Sequence, residues 1–272
     1  MTFLRHAAKR ILPSKAKRWL SQLQSDYTLT PRLQPCAPPS QDEPSPYLSW
    51  VAVPNPLTVL GEKYEPTKRY HNYLPYYWLH FRDIREQVRT VLEIGVETER
   101  SVQMWEEFFP NAIVYGLDIN PKCQCVESGR VKIFIGDQAD HSFLKACLQG
   151  MATPPDIIID DGSHRPDHQI RTFNYLFPRM SDHGIYVIED MGGCVGDVGL
   201  RAVNRLKMLI DKLFYWPPGV PARRWSQMDR FPDSTEWLAK HITGIAFYRW
   251  IAFIMRGHNP SDNPYLPVSG EY

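Results

Sequence analysis

The sequence predicts an α/β protein: a parallel sheet with helices on both faces, ending in a C-terminal β-hairpin. Three observations predict it. From about Leu57 onward, short apolar runs alternate with stretches of helical periodicity, the pattern of strands joined by crossover helices. Successive runs end at acids, Asp118, Asp160 and Glu189. Two β-rich runs, residues 242–247 and 250–255, follow each other across Tyr248-Arg249, which leaves room only for a tight turn. The 272 residues suffice for a sizeable core. A composition of 43% hydrophobic and 22% charged residues is that of a globular chain. The 31 basic against 30 acidic residues argue against a nucleic-acid binder.

Residues 1–24 carry six basic side chains and no acid. Leu4, Ala8 and Ile11, then Trp19, Leu20 and Leu23, recur at helical spacing. Such a segment suits an anionic membrane surface. The plainer reading is a short helix packed on the domain or on a partner subunit. It has no apolar h-region of a signal peptide, and no run in the chain reaches the ~18–20 apolar residues of a membrane span. Residues 31–56 hold eight of the 24 prolines and read as an extended arm. The expected division is therefore 1–56 as basic segment plus proline-rich arm, 57–258 as the main domain and 259–272 as a tail. Five cysteines, an odd and sparse set, suit a reducing compartment, so a cytoplasmic protein is expected. Cys123-x-Cys125 lacks a second pair and reads as free thiols.

Within the domain the elements follow in order. Residues 91–95 form a strand running into Gly95, and 101–108 a helix. Residues 113–118 form a strand ending at Asp118, and 131–135 a strand before Gly136-Asp137. Residues 142–149 read as a short helix, and 156–160 as a strand ending in Asp160, with Asp161 next. Ile170, Phe173 and Phe177 share one helix face. Residues 185–189 form a strand ending in Glu189, with Asp190 next, and 200–214 an amphipathic helix. His71, Tyr73, Tyr76 and Tyr77, before the first strand, read as packing.

Ligands of parallel sheets bind beyond the carboxyl ends of the strands. That rule gathers Glu93, Gly95, Asp118, Asp137, Asp160, Asp161, Glu189 and Asp190 at one rim. Gly95 lets a ligand approach the backbone. Asp118, about 20 residues later, is placed to accept hydrogen bonds from ribose hydroxyls. A dinucleotide loop would read G-x-G-x-x-G, but here only Gly95 is present, and Glu99 would repel a pyrophosphate. S-adenosylmethionine (SAM), with a ribose and no phosphate, fits better than NAD. Asp137 and Gln138 are candidates for the adenine.

The second half of the rim is Asp160-Asp161-Gly162-Ser163-His164 with Glu189-Asp190. Four carboxylates this close repel one another unless a cation lies between them. Oxygen ligands suit Mg²⁺, which lowers the pKa of a bound hydroxyl, and His164 is placed as the base that takes its proton.

The runs Val91-Leu92-Glu93-Ile94-Gly95-Val96, Tyr115-Gly116-Leu117-Asp118, Ile158-Ile159-Asp160-Asp161-Gly162-Ser163-His164 and Gly184-Ile185-Tyr186-Val187-Ile188-Glu189-Asp190 resemble the class I SAM-dependent methyltransferases. More narrowly, they resemble the macrolide-sugar O-methyltransferases of the mycinamicin and macrocin type. The resemblance implies a Rossmann-like seven-stranded, mostly parallel sheet. It implies SAM over Glu93, Gly95, Ser101, Asp118, Asp137, Gln138 and Asp160, with Mg²⁺ on Asp161, Glu189 and Asp190 and His164 as general base. The acceptor would be a sugar or diol-like hydroxyl of a small natural product or glycoside, and the enzyme a homo-oligomer. The chain departs from the family at Glu99 and Arg100, where glycines are usual, and at Tyr64-Glu65-Pro66-Thr67-Lys68, where only the ends of a family segment survive. The rival readings are a non-catalytic scaffold of the same fold and an NAD(P)-dependent oxidoreductase.

Overall fold

The structure, a computed structural model, describes residues 55–98, 100–127, 129–192, 200–213 and 235–258. Three helices precede the sheet: α1 (Pro56–Tyr64), α2 (Thr67–Tyr70) and α3 (Leu74–Phe81). None was assigned from periodicity, yet α1 has an explicit start. The Asn55 side chain accepts from the Leu57 and Thr58 amides at 3.0 Å, and Thr58 Oγ1 accepts from the Asn55 amide at 2.9 Å. This reciprocal cap, with Pro56 in the first turn, supplies partners that a helix N-terminus otherwise lacks.

The remaining elements are β1 (Thr90–Ile94), α4 (Arg100–Phe108), β2 (Ile113–Asp118), β3 (Val131–Ile135), α5 (His141–Gly150), β4 (Ile157–Asp160), α6 (Pro166–Leu176), β5 (Ile185–Ile188), α7 (Arg201–Leu213), α8 (Thr235–His241), β6 (Ile242–Tyr248) and β7 (Ile251–Arg256). They form a seven-stranded sheet in the order β3-β2-β1-β4-β5-β7-β6. Strands β3 to β5 pair in parallel, while β7 lies antiparallel to both β5 and β6. The expected mostly parallel sheet with a terminal hairpin is thus present. Several strand bounds differ by one residue from those expected: Gly95, Asp156 and Glu189 lie just outside β1, β4 and β5.

Helices cover both faces. One face buries Leu57, Tyr77, Phe81, Trp105 and Phe108, from α1, α3 and α4. The other buries Leu144, Phe173, Leu176, Leu206 and Leu209, from α5, α6 and α7. Alternation along a strand divides each strand between them. In β1, Val91 belongs to the first core and Leu92 and Ile94 to the second. In β4, Ile157 and Ile159 belong to the first and Ile158 to the second. The charged residues at the strand ends inherit the same alternation. No helix among the described residues is long and apolar enough to cross a membrane.

Candidate active site

A cavity of about 450 Å³ opens at the carboxyl ends of the parallel strands. Its wall includes Gly95, Ser101, Asp118, Asp137, Gln138, Asp161, His164 and Asp190. Sequence-selected residues from five segments therefore converge on one space.

Gly95 adopts φ +90°, and a Cβ there would lie 2.2 Å from the Asp161 carbonyl oxygen. The loops after β1 and β4 touch at this point, so only glycine fits. Asp118 Oδ2 accepts from the Val96 and Glu97 amides at 2.9 and 3.0 Å, and Oδ1 accepts from the Asn120 amide at 2.8 Å. Burial opposes its charge, but these backbone donors outweigh it and hold the carboxyl below its usual range. It is an anion at the cavity wall with its loop already tied to it. Asp137 is exposed, and its Oδ1 accepts from the Ala139 amide, as a turn residue does. Buried Gln138 accepts from the Ser163 amide at 2.8 Å and donates to Asp160 at 3.1 Å, joining two rim loops.

Glu93 and Asp160 do not line the cavity. Glu93 turns into the first core, where it accepts from Ser101 Oγ at 2.8 Å and Trp105 Nε1 at 3.2 Å. Asp160 turns to the opposite face, against Gln138 and the Tyr186 hydroxyl. Both are fully buried. Burial pushes Glu93 up, against the pull of Lys68, and pushes Asp160 up to about 6, against the Gln138 hydrogen bond. Strand alternation thus answers which of the adjacent acids faces the cavity: Asp161 does, and Asp160 braces the loop beneath.

Asp161, His164 and Asp190, each half-buried, bring one ligand atom apiece within 4.8 Å of one another. His164 Nε2 lies 3.8 Å from Asp190 Oδ2, while its Nδ1 is buried with no hydrogen-bond partner. His164 and Asp190 both have positive φ, 54° and 50°. The two carboxylates, partly shielded from water, are an oxygen pair that suits Mg²⁺, and the imidazole stands beside them. Glu189 stands outside this trio. It is 1% exposed, bonded to Lys68 Nζ at 2.7 Å and to the Tyr77 hydroxyl. Burial, reinforced by Asp161, raises its pKa against the pull of Lys68.

Lys68, Tyr73 and Tyr77 are the site residues that sequence reasoning missed. The cation expected among the acids is in part Lys68. Its Nζ lies 2.6 Å from Asp161, 2.7 Å from Glu189 and 3.0 Å from Glu93. Burial opposes its charge, yet the three carboxylates hold its pKa well above the ordinary value. The one available signal was its place at the surviving end of the family segment. Arg100 lines the cavity and donates to the Glu65 carbonyl at 3.3 Å. Cys123, Cys125 and Cys147 are free thiols. Residues 1–54, Glu99, Cys194 and the tail 259–272 lie outside the described residues.

No family model matches the chain. It is 36% identical over 211 residues to mycinamicin VI 2''-O-methyltransferase of Micromonospora griseorubida, covering 70% of this chain and 49% of that protein. It is 33% identical over 213 residues to demethylmacrocin O-methyltransferase of Streptomyces fradiae, with the same coverage of 70% and 49%. Among solved structures, the MycE methyltransferase in complex with Mg and SAH superposes with a TM-score of 0.64 at 31% identity, covering 80% of this chain and 59% of that one. The complex that also holds mycinamycin VI gives 0.64 at 32% identity, covering 79% and 57%. The sheet and its C-terminal antiparallel pair match the Rossmann-like methyltransferase fold. The chain spans about half the length of the curated relatives it matches.

Proposed function

From its likeness to the macrolide-sugar O-methyltransferases, we propose that this chain is a Mg²⁺-dependent, SAM-dependent O-methyltransferase. Its acceptor is a hydroxyl of a sugar or diol-like group on a small natural product or glycoside. One observation carries the reading: a single cavity is lined both by Gly95 and Asp118 and by Asp161, His164 and Asp190. Cofactor-binding and cation-binding groups thus share one cavity.

Each residue then has a task. Asp118 offers an anion to the ribose hydroxyls, and Gly95 leaves the backbone open beside it. Asp161 and Asp190, with Glu189 adjacent, would hold Mg²⁺, which when bound polarises an acceptor hydroxyl and lowers its pKa. His164 takes the hydroxyl proton at Nε2, the nitrogen that faces Asp190. SAM supplies the methyl group, and the walls fix the line of approach, which is where much of the rate arises. The same reading carries a cytosolic homo-oligomer, with 57–258 as the methyltransferase domain and 1–56 as an appended arm. Light scattering on the full chain tests the oligomer.

The test of the activity is transfer of labelled methyl from SAM to a panel of deoxysugar glycosides, with Mg²⁺ or with EDTA. The expected result is transfer that EDTA and Asp161→Ala both abolish. Transfer that survives EDTA would remove the metal from the mechanism.

A further inference from the structure

The mechanism leaves residues 67–77 without a task, although this stretch sends four side chains to the acids of the rim. Lys68 Nζ binds Asp161, Glu189 and Glu93, all within 3.0 Å. The Tyr77 hydroxyl donates to Glu189 Oε1. The Tyr73 hydroxyl donates to Asp190 Oδ1 at 2.5 Å, and His71 Nδ1 lies 3.4 Å from the same oxygen. Lys68 and Tyr73 are each 1% exposed.

An ammonium group has three N–H donors and no acceptor. Lys68 meets three carboxylates, so its donors are committed. It does not line the cavity, so it does not reach a reacting atom. Lysine is almost never fully buried unless paired, and here the pairing falls on Asp161 and on both of its buried neighbours. Tyr73 does the same for Asp190, the other acid of the trio. Groups that hold a metal's ligands in this way set the orientation those ligands present.

We propose that residues 67–77 preorganise the cation site, with Lys68 as its resident cation and Tyr73 as the clamp on Asp190. Both are positioning residues, and the inference rests on the Mg²⁺ reading above. In the absence of a divalent ion, Lys68 keeps Asp161 and Glu189 together. When the ion binds, it meets acids that are already placed.

Two variants test this on the full chain. Lys68→Met is melted in EDTA and in saturating Mg²⁺. In EDTA it should lose roughly 6–20 °C in Tm, the cost of leaving buried charges unpaired. Mg²⁺ should restore most of that loss, while the wild type gains only a few degrees. An equal loss with and without Mg²⁺ would make Lys68 a packing residue and overturn the proposal. If Lys68→Met yields no folded protein, Tyr73→Phe decides alone. Its affinity for Mn²⁺, read by electron paramagnetic resonance with S-adenosylhomocysteine present, should fall about 10–100-fold, with S-adenosylhomocysteine affinity unchanged. Wild-type affinity for Mn²⁺ in that variant would sink the proposal. Failure of the wild type itself to bind Mn²⁺ would instead remove the metal reading on which it stands.

Discussion

His164 and Asp190 sit at φ 54° and 50°, a region that side-chain-bearing residues rarely adopt. Such strain persists only where the surroundings over-determine it. For Asp190 they do: Tyr73 and His71 hold its carboxylate, and the next amide, Met191 N, donates to the Trp250 carbonyl at 2.9 Å. The backbone there spends stability to aim two side chains at one point. His164→Ala should therefore lower kcat by about 10²–10⁴-fold while the dissociation constant for S-adenosylhomocysteine stays near wild type. Equal weakening of cofactor binding with unchanged turnover would exclude the base role. Gly95 gives a second test. An alanine there adds a Cβ 2.2 Å from the Asp161 carbonyl at φ +90°. Gly95→Ala should cost roughly 1–3 kcal/mol from backbone strain alone, measured by urea unfolding, and should weaken cofactor binding. At this scale the acids and His164 were legible because strand ends announce them. Lys68 was not. It binds partners 93 and 121 positions away, and no local pattern distinguishes a buried lysine from a solvated one.

Alternation explains the other half of the site. Glu93 and Asp160 occupy neighbouring strands and point to opposite faces, because side chains reverse at each residue. The strand ends were visible in the sequence as apolar runs, and so were α4 to α7 as periodic stretches. The helices before β1 were less visible. Tyr73, Tyr77 and Phe81 recur at the helical spacing of four, but Leu74, Tyr76 and Trp78 between them are also apolar or aromatic and blur that stripe, since α3 packs on several partners at once. Tyr77 meets Trp105 and Phe253, while Tyr76 stacks on Tyr248 at 4.1 Å. Helix α3 and the β6–β7 hairpin thus support each other. His80 lies in that contact, stacked on Phe253 at 4.2 Å with Nε2 3.1 Å from the Tyr248 hydroxyl. Burial lowers its pKa to about 4 from 6.5. The folded state then binds fewer protons than the unfolded chain between these values, so stability rises with pH across that window. It is full above about pH 6.5 and is lost as pH falls toward 4. His80→Leu should flatten that part of the stability–pH curve. An unchanged acid limb in urea titrations at pH 4 to 7 would exclude His80 as its source.

Over the whole chain the near-balance of 31 bases and 30 acids conceals two unlike parts. Six of the bases lie in residues 1–24, which contain no acid. In the rest, acids are in excess, and Glu93, Asp118, Asp160, Asp161, Glu189 and Asp190 gather at one rim of the sheet. Two sets of groups there do separable work. Gly95 and Asp118 line the cavity but are not among the three residues whose ligand atoms cluster, Asp161, His164 and Asp190, which line it too. A ligand that binds only the folded form stabilises it by about 2.7 kcal/mol at 100 times its dissociation constant. For a domain of this size that is roughly 5–11 °C in Tm. S-adenosylhomocysteine should give such a shift, and NAD⁺ should give none, because the G-x-G-x-x-G loop that would hold a pyrophosphate is missing. The shift should persist in EDTA, since the ribose-binding groups do not depend on the cation. A shift with NAD⁺ alone would favour the oxidoreductase, no shift with either would favour a non-catalytic scaffold, and a S-adenosylhomocysteine shift lost in EDTA would join the two sets into one cation-dependent site.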